Sequence, residues 1–307
     1  MRTLRAGGLL AVVTIAVAAA GGPARAQAPA EIHHIHGLAF DRRDPEILDV
    51  ATHTGLVRLR AGAPSEWTGD HRFDLMGFTA HPTTPDLVYA SGHPDLPTYR
   101  KEKVGNLGLL ASRDGGRAWT SVALRGQADF HALAWSPAGG GALWGWSVAG
   151  EPGLYRISTS TGAVARPAAR GLADVYALAA SPDAGGPLLA GTARGLVASR
   201  DGGVSFTPVG TIPPSVAVPA LAYHPTDAAL AYAYAHRQDL GLLQSRDGGV
   251  TWRPVGLFTG SDTPVVAIAT GPGRHVAVAT TAADVRRSRD GGRTWETVLA
   301  RGRAAAR

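Results

Sequence analysis

An eight-residue stretch occurs three times almost unchanged, and it limits what this chain can fold into more than any other feature. It reads Ser112-Arg-Asp114-Gly115-Gly116-Arg-Ala-Trp119, Ser245-Arg-Asp247-Gly248-Gly249-Val-Thr-Trp252 and Ser288-Arg-Asp290-Gly291-Gly292-Arg-Thr-Trp295. A fourth copy, Ser199-Arg-Asp201-Gly202-Gly203-Val-Ser-Phe206, keeps the turn and changes the aromatic residue. Apolar, strand-like residues flank each copy, so each reads as a β-hairpin turn. Glycine takes up positive φ without steric cost, and aspartate accepts hydrogen bonds from N–H groups inside its own turn. The aromatic residue then anchors the next strand. Asp114, Asp201, Asp247 and Asp290 are therefore expected to be structural rather than metal-binding or catalytic, because the turn supplies its own partners for each carboxylate.

Between the turns a second signal recurs, a short apolar strand beginning at Gly37, Gly77, Ala132, Ala177, Ala220 and Ala267. The copies lie 40 to 55 residues apart, which is the length of one four-stranded propeller blade. After each comes a second strand, a third strand that usually opens on Gly-Leu, and then the turn and an outer strand. The turn is degenerate in the first unit, and in the third Ser160 stands where Asp is expected. Six units over residues 27–300 predict an all-β chain, a six-bladed β-propeller with no helix of substance. The one long insertion is Pro94 to Gly105, and the polar tail over residues 301–307 is expected to fray. The count opens on an inner strand and closes on an outer one. Ring closure is then expected from packing of the first blade on the last, unless residues 27–31 add a strand.

The first residues read as a secretory signal peptide over residues 1–26. Arg2 and Arg5 precede an apolar run from Gly7 to Ala20, Gly21-Gly22-Pro23 breaks it, and Ala24-Arg-Ala26 offers a cleavage site. The run is short for a membrane span, and no Cys stands at the cleavage site to carry a lipid, so the mature protein is expected in the periplasm or outside the cell. Loss of Arg2, Arg5 and Arg25 takes the formal charge from +6 to +3. The remaining arginines are scattered, which argues against a nucleic-acid partner. Without cysteine there are neither disulfides nor thiolate ligands, and a closed monomeric ring needs none.

In a propeller the starts of the inner strands and the ends of the second strands share one mouth of the central channel, and sites of such folds belong there. The residues just before the six aligned inner strands are His36, Met76, His131, Tyr176, Pro219 and Val266. Two residues earlier, on the same side of a strand by its period of two, stand His34, Asp74, Asp129, Asp174, Ala217 and Pro264. The ends of the second strands add His53, His93 with Asp95, and His236. Six of the 11 histidines thus fall at one mouth, while His33, His71, His81, His224 and His275 read as turn or surface residues. One reading is a Zn or Cu site built from His34, His36, His53, His93 and His131, joined by Asp95, Asp129 or Met76, with the thioether favouring copper. Another is general acid–base chemistry by Asp129, His131, Asp95 and Tyr176. A third leaves the side chains bonded to one another and to water. The insertion at Pro94–Gly105 reads either as a lid over this mouth or as a solvated loop.

The Ser-x-Asp-x-Gly-x-Thr-Trp turns resemble the Asp-box, or BNR, repeat of sialidase-like β-propellers, and the resemblance covers nearly the whole mature chain. That group includes sialidases and related glycosidases, sortilin-like receptors and photosystem assembly factors. Exported bacterial proteins of the glycosyl-hydrolase-like kind look similar in carrying His34-Ile-His-Gly-Leu38 and Ser91-Gly-His-Pro-Asp95. The mouth residues and the resemblance together lead to the expectation of a small-molecule, glycan or metal ligand, or else of a scaffold for an envelope protein partner. It does not extend to sialidase chemistry. A sialidase needs an arginine triad, with its first member in Arg-Ile-Pro, and a tyrosine paired with glutamate. Here the nearest string is Thr211-Ile-Pro213, in another blade, and Tyr176 has Asp174 rather than Glu beside it.

Overall fold

In the computed structural model of the chain, residues 31–305 are described, and the expected signal peptide lies outside them. Among the described residues the strands form six antiparallel sheets, each a meander in chain order. The innermost strands are Ile35–Phe40, Asp74–Ala80, Asp129–Ser136, Val175–Ala180, Ala220–Tyr223 and Val265–Thr270. The chain is a six-bladed β-propeller. Its apolar residues segregate into six clusters, each drawn from two neighbouring blades, such as Leu56, Phe73, Leu75, Phe78 and Leu110 between blades one and two. Burial between faces of adjacent sheets therefore holds the ring, as expected for sheets packed face to face. No helix among the described residues is long and apolar enough to cross a membrane.

The repeated turns behave as their chemistry demands. Asp114 Oδ1 accepts from Ser112 Oγ (2.7 Å), Arg117 N–H (3.0 Å) and Ala118 N–H (2.9 Å). Asp201, Asp247 and Asp290 repeat the pattern in blades four to six. Hydrogen bonds from Thr251, first its hydroxyl and then its backbone, hold the Asp247 carboxyl down at about 2. The second glycine is required twice over. Gly116 has φ +89°, and a Cβ there would stand 2.4 Å from Leu56 Cδ2 of the preceding blade. An Asp114→Ala variant is expected to lose about 1–2 kcal/mol of stability, the usual cost of removing a side chain that caps backbone N–H groups. Urea denaturation checks this, and a change below about 0.3 kcal/mol would deny the turn its structural role.

Two features depart from expectation. The chain does not fray at Arg301, because Arg303–Ala304 adds a fifth strand to blade six, pairing Leu299 with Ala304. The turn at Gly302 accepts the Ile32 N–H through its carbonyl at 2.9 Å, so the two ends of the propeller meet there without sharing a strand. The insertion, expected to lack a helix, contains one at Leu96–Glu102. Asp95 caps it, with Oδ1 accepting from Thr98 N–H at 3.0 Å, and Pro97 lies in its first turn. Proline and an aspartate cap are favoured at a helix start because the first N–H groups have no partner inside the helix.

Candidate functional site

Leu38, Phe78, Leu133, Leu178, Leu221 and Ile268, one from each inner strand, border the channel cavities on both sides. They form an apolar collar that divides the channel into two ends. His36, His131 and Tyr176 line the cavity on the side where the inner strands start. That is the mouth expected from register, and two clusters of imidazole and carboxylate stand there.

The first cluster joins blades one and two. His36 precedes the inner-strand glycine, His53 follows the second strand Ile47–Thr52, and Asp74 opens the inner strand of the next blade. One donor atom from each lies within 4.8 Å of the others. His53 Nδ1 is 2.7 Å from Asp74 Oδ1, and His36 Nε2 is 3.8 Å from the same oxygen. The His53 contact is short but off the line of a hydrogen bond, and the His36 contact is beyond hydrogen-bond reach, so Asp74 Oδ1 and His36 Nε2 are both buried without a hydrogen-bond partner. His34, held at φ +50°, sets its ring edge-on to His53 with centroids 4.8 Å apart. Gly92 lets the two strands close up beside Asp74: its φ is +142°, and a Cβ there would fall 1.9 Å from the Asp74 backbone carbonyl oxygen.

The second cluster repeats the arrangement one blade on. Asp129, 3% exposed, opens the inner strand of blade three and bonds to His131 Nε2 at 2.9 Å. His93, at the end of blade two's second strand, stands with Nε2 3.5 Å from Asp129 Oδ2. The ring of His93 is turned by a bond from Nδ1 to the Gly105 carbonyl (3.0 Å), which puts its proton on Nδ1. Backbone bonds fix the strand beneath, with Ser91 Oγ accepting from Phe130 N–H and Ser147 Oγ from Asp129 N–H.

The remaining sequence candidates divide differently. Met76 stands at the strand irregularity between Leu75 and Gly77, and no described contact ties its sulfur to either cluster. Asp95 belongs to the helix cap and also accepts from Arg72 N–H at 3.0 Å. Burial works against its charge, but these bonds hold the carboxyl below its ordinary value. Tyr176 is 52% exposed at the mouth, and its neighbour Asp174 faces Arg194. His236 is turned aside to the Ser261 carbonyl. His224, expected at the surface, is only 7% exposed. The member that register placed at the mouth but left out of the ligand set is Asp74. Its position two residues before Met76, matching Asp129 before His131, was the signal.

Burial, then the charge of His53, push the His36 imidazole from 6.5 down to about 4. The neutral form is thus favoured in the fold. Stability from this group is complete above pH 6.5 and is lost as acidification proceeds towards pH 4, because only the unfolded chain takes up the proton in that window. The whole effect is on the order of 3 kcal/mol at about 1.4 kcal/mol per pKa unit. Urea titrations of metal-free protein at pH 7 and 4.5 should show a steeper loss in the native chain than in His36→Asn. Parallel losses would mean that this imidazole is not desolvated.

No protein-family model matches the sequence, and no curated protein matches it. Solved structures do. The GH74 xyloglucanase of Xanthomonas campestris aligns with a TM-score of 0.53 at 19% identity, over 89% of this chain and 39% of that one. The extracellular domain of BT4673 from B. thetaiotaomicron aligns with a TM-score of 0.54 at 12% identity, over 90% of this chain and 34% of that one. What they share with this chain is the propeller fold. At these identities nothing finer follows, and the chain spans well under half the length of either.

Proposed function

We propose that this chain is an exported Asp-box (BNR) propeller of the glycosyl-hydrolase-like kind that binds one transition-metal ion at the His-rich mouth. The ligands are His36, His53 and Asp74. The observation that carries this reading is the convergence of two imidazole nitrogens and a carboxylate oxygen within 4.8 Å, two of these atoms being buried without an aligned hydrogen bond. Two neutral imidazoles and one carboxylate suit Zn(II), which commonly keeps a fourth position open in such sets, and Cu(II) competes for the same donors. With Met76 outside the cluster, the thioether argument for copper lapses. A bound ion would act as a Lewis acid or as an anchor for an oxygen or nitrogen ligand arriving through the mouth. His36 is suited to this because burial keeps it unprotonated, and His53, with a side chain 39% exposed, borders the opening. Metal analysis of the purified mature protein tests the reading. One ion per chain, lost on replacing His36 and His53 together, supports it, and a metal-free protein that binds neither Zn nor Cu when titrated would end it.

A second reading takes Asp129 and His131 as the acid–base pair of a glycoside hydrolase, with Tyr176 at the same mouth. One observation favours it: a carboxylate 3% exposed and hydrogen-bonded to His131. Asp95, the fourth member of that set, is engaged in its helix cap. A panel of aryl glycosides and plant glucans, xyloglucan included, tests it, with Asp129→Asn expected to abolish any turnover found. If metal and turnover are both lacking, a scaffold for an envelope protein partner is what remains.

A further inference from the structure

The far end of the channel carries a feature that the metal reading does not use. Beyond the apolar collar the inner strands open into a cavity of about 140 Å³ whose lining includes Arg42, Thr79, Thr270 and His224. Arg42 follows the first inner strand. Its Nε donates to His81 O and its Nη1 to Thr270 O, each at 3.1 Å. Two carbonyl acceptors occupy two of the five N–H groups of a guanidinium. Among the described residues no carboxylate lies at ion-pair distance from Arg42, and no acidic side chain lines the cavity. Asp41, its chain neighbour, is turned to Arg58 at 3.5 Å and to the N–H groups of Arg43 and Asp44.

Arg42 is partly buried, and the one charge that offsets its burial is that of Asp41, which has no hydrogen bond or ion pair with it. Burial alone pushes the Arg42 guanidinium down to about 10. A partly desolvated charge with no ion-pair partner favours an anion that can reach it. The other titratable groups near it are His81 and His224, and both are held below their ordinary values, first by burial and partly by the charge of Arg42. Asp227 and the carbonyls of Gly271 and Gly273 pull His224 the other way. Nδ1 of His224 accepts the Thr226 N–H at 3.3 Å, so its proton sits on Nε2, a buried atom without an aligned acceptor. The wall thus presents cationic and neutral donors and no anion.

We propose that this end of the channel binds a small oxyanion, a phosphate, sulfate or carboxylate group, through the free N–H groups of Arg42. A planar guanidinium fork matches two oxygens of such a group, and a charge-assisted bond of this kind is about twice as strong as a neutral one. The cavity holds about four or five waters at roughly 30 Å³ each, enough for a tetrahedral oxyanion and part of its shell. The site is independent of the metal, since the apolar collar separates the two ends.

The test uses chelator-treated mature protein titrated with sodium phosphate, sulfate and acetate at constant ionic strength, read by calorimetry and by thermal melting. A saturable rise in melting temperature is expected with at least one of the three, and the comparison says which oxyanion fits. Arg42→Gln is expected to weaken that binding by about tenfold or more, the worth of one charge-assisted bond. Arg42→Lys should keep part of it, and His36→Ala should leave it unchanged. Should Arg42→Gln fail to fold, selenate soaked into crystals of the native protein locates the site by anomalous scattering. Binding unaffected by Arg42→Gln, no saturable response to any of the three, or selenate found only elsewhere would overturn the proposal.

Discussion

Metal-free protein titrated with Zn(II) is expected to take up one ion, and His36→Ala to weaken that binding by about 100-fold or more. The size follows from ligand count. Groups that merely orient a ligand change metal affinity by about 10- to 100-fold, so loss of a ligand atom should exceed that range. His36 belongs to the inner strand Ile35–Phe40 and cannot swing away to be replaced. Asp74→Asn keeps the shape and removes the charge, so it should fall between His36→Ala and the native chain. Binding should also stabilise the fold by about 2.7 kcal/mol at a free ion concentration of 100 Kd, and that increment should vanish in His36→Ala. His131→Ala is the discriminating control, because His131 is bonded to Asp129 in the second cluster. If it costs as much as His36→Ala, the ion is shared between clusters and the assigned ligands are wrong. If neither variant changes the affinity, the site is elsewhere.

Replacing Glu46 and Glu296 together by glutamine is expected to cost about 3–5 kcal/mol, because it takes both ion-pair partners from a buried guanidinium. Arg287, 1% exposed, lies in blade six. Its Nη2 is 3.0 Å from Glu296 and 3.0 Å from Glu46, and its Nη1 donates to the Glu46 carbonyl across the seam with blade one. Arg289 binds the same two carboxylates from outside, at 2.8 and 2.7 Å. Glu46, pulled chiefly by Arg289, and Glu296, pulled chiefly by Arg287, are both held below their ordinary values. Their contribution is therefore present above the unfolded carboxylate pKa of 4.5 and is lost as pH falls below it. A melting temperature lowered by roughly 10 °C at pH 7 is the expected reading for a domain of this size. Arg43→Ala provides the contrast: its side chain is 61% exposed beside Asp86, and exposed pairs are worth about 1 kcal/mol at most. A double variant that melts like the native chain would mean the seam is closed by apolar packing alone.

Much of this molecule can be read from local chemistry. The Ser-x-Asp-Gly-Gly turns satisfy their own polar atoms within a few residues, so Asp114, Asp201, Asp247 and Asp290 were legible as structural. The spacing of the inner strands at Gly37, Gly77, Ala132, Ala177, Ala220 and Ala267 gave the blade count, because each blade is a meander of neighbouring segments. The same register put His36, His53, His93 and His131 at one mouth. Asp95 could also have been read, since aspartate two residues before Pro97 and three before Thr98 is a helix-start pattern, and that reading would have removed it from the acid–base set. The polar composition of residues 301–307 hides the short hairpin of Arg303–Ala304 on Leu299–Ala300, whose turn at Gly302 is held by Ile32 at the opening of the propeller.

The repeat, the ring of six blades and the face on which the imidazoles stand follow from local order along the chain, because turns and strand period act over a few residues. Which of those side chains meet is set by the packed ring. His53 approaches Asp74 of the next blade, His93 approaches Asp129, and Arg42 reaches carbonyls of blades two and six, since these distances depend on how neighbouring sheets twist and pack as the ring closes.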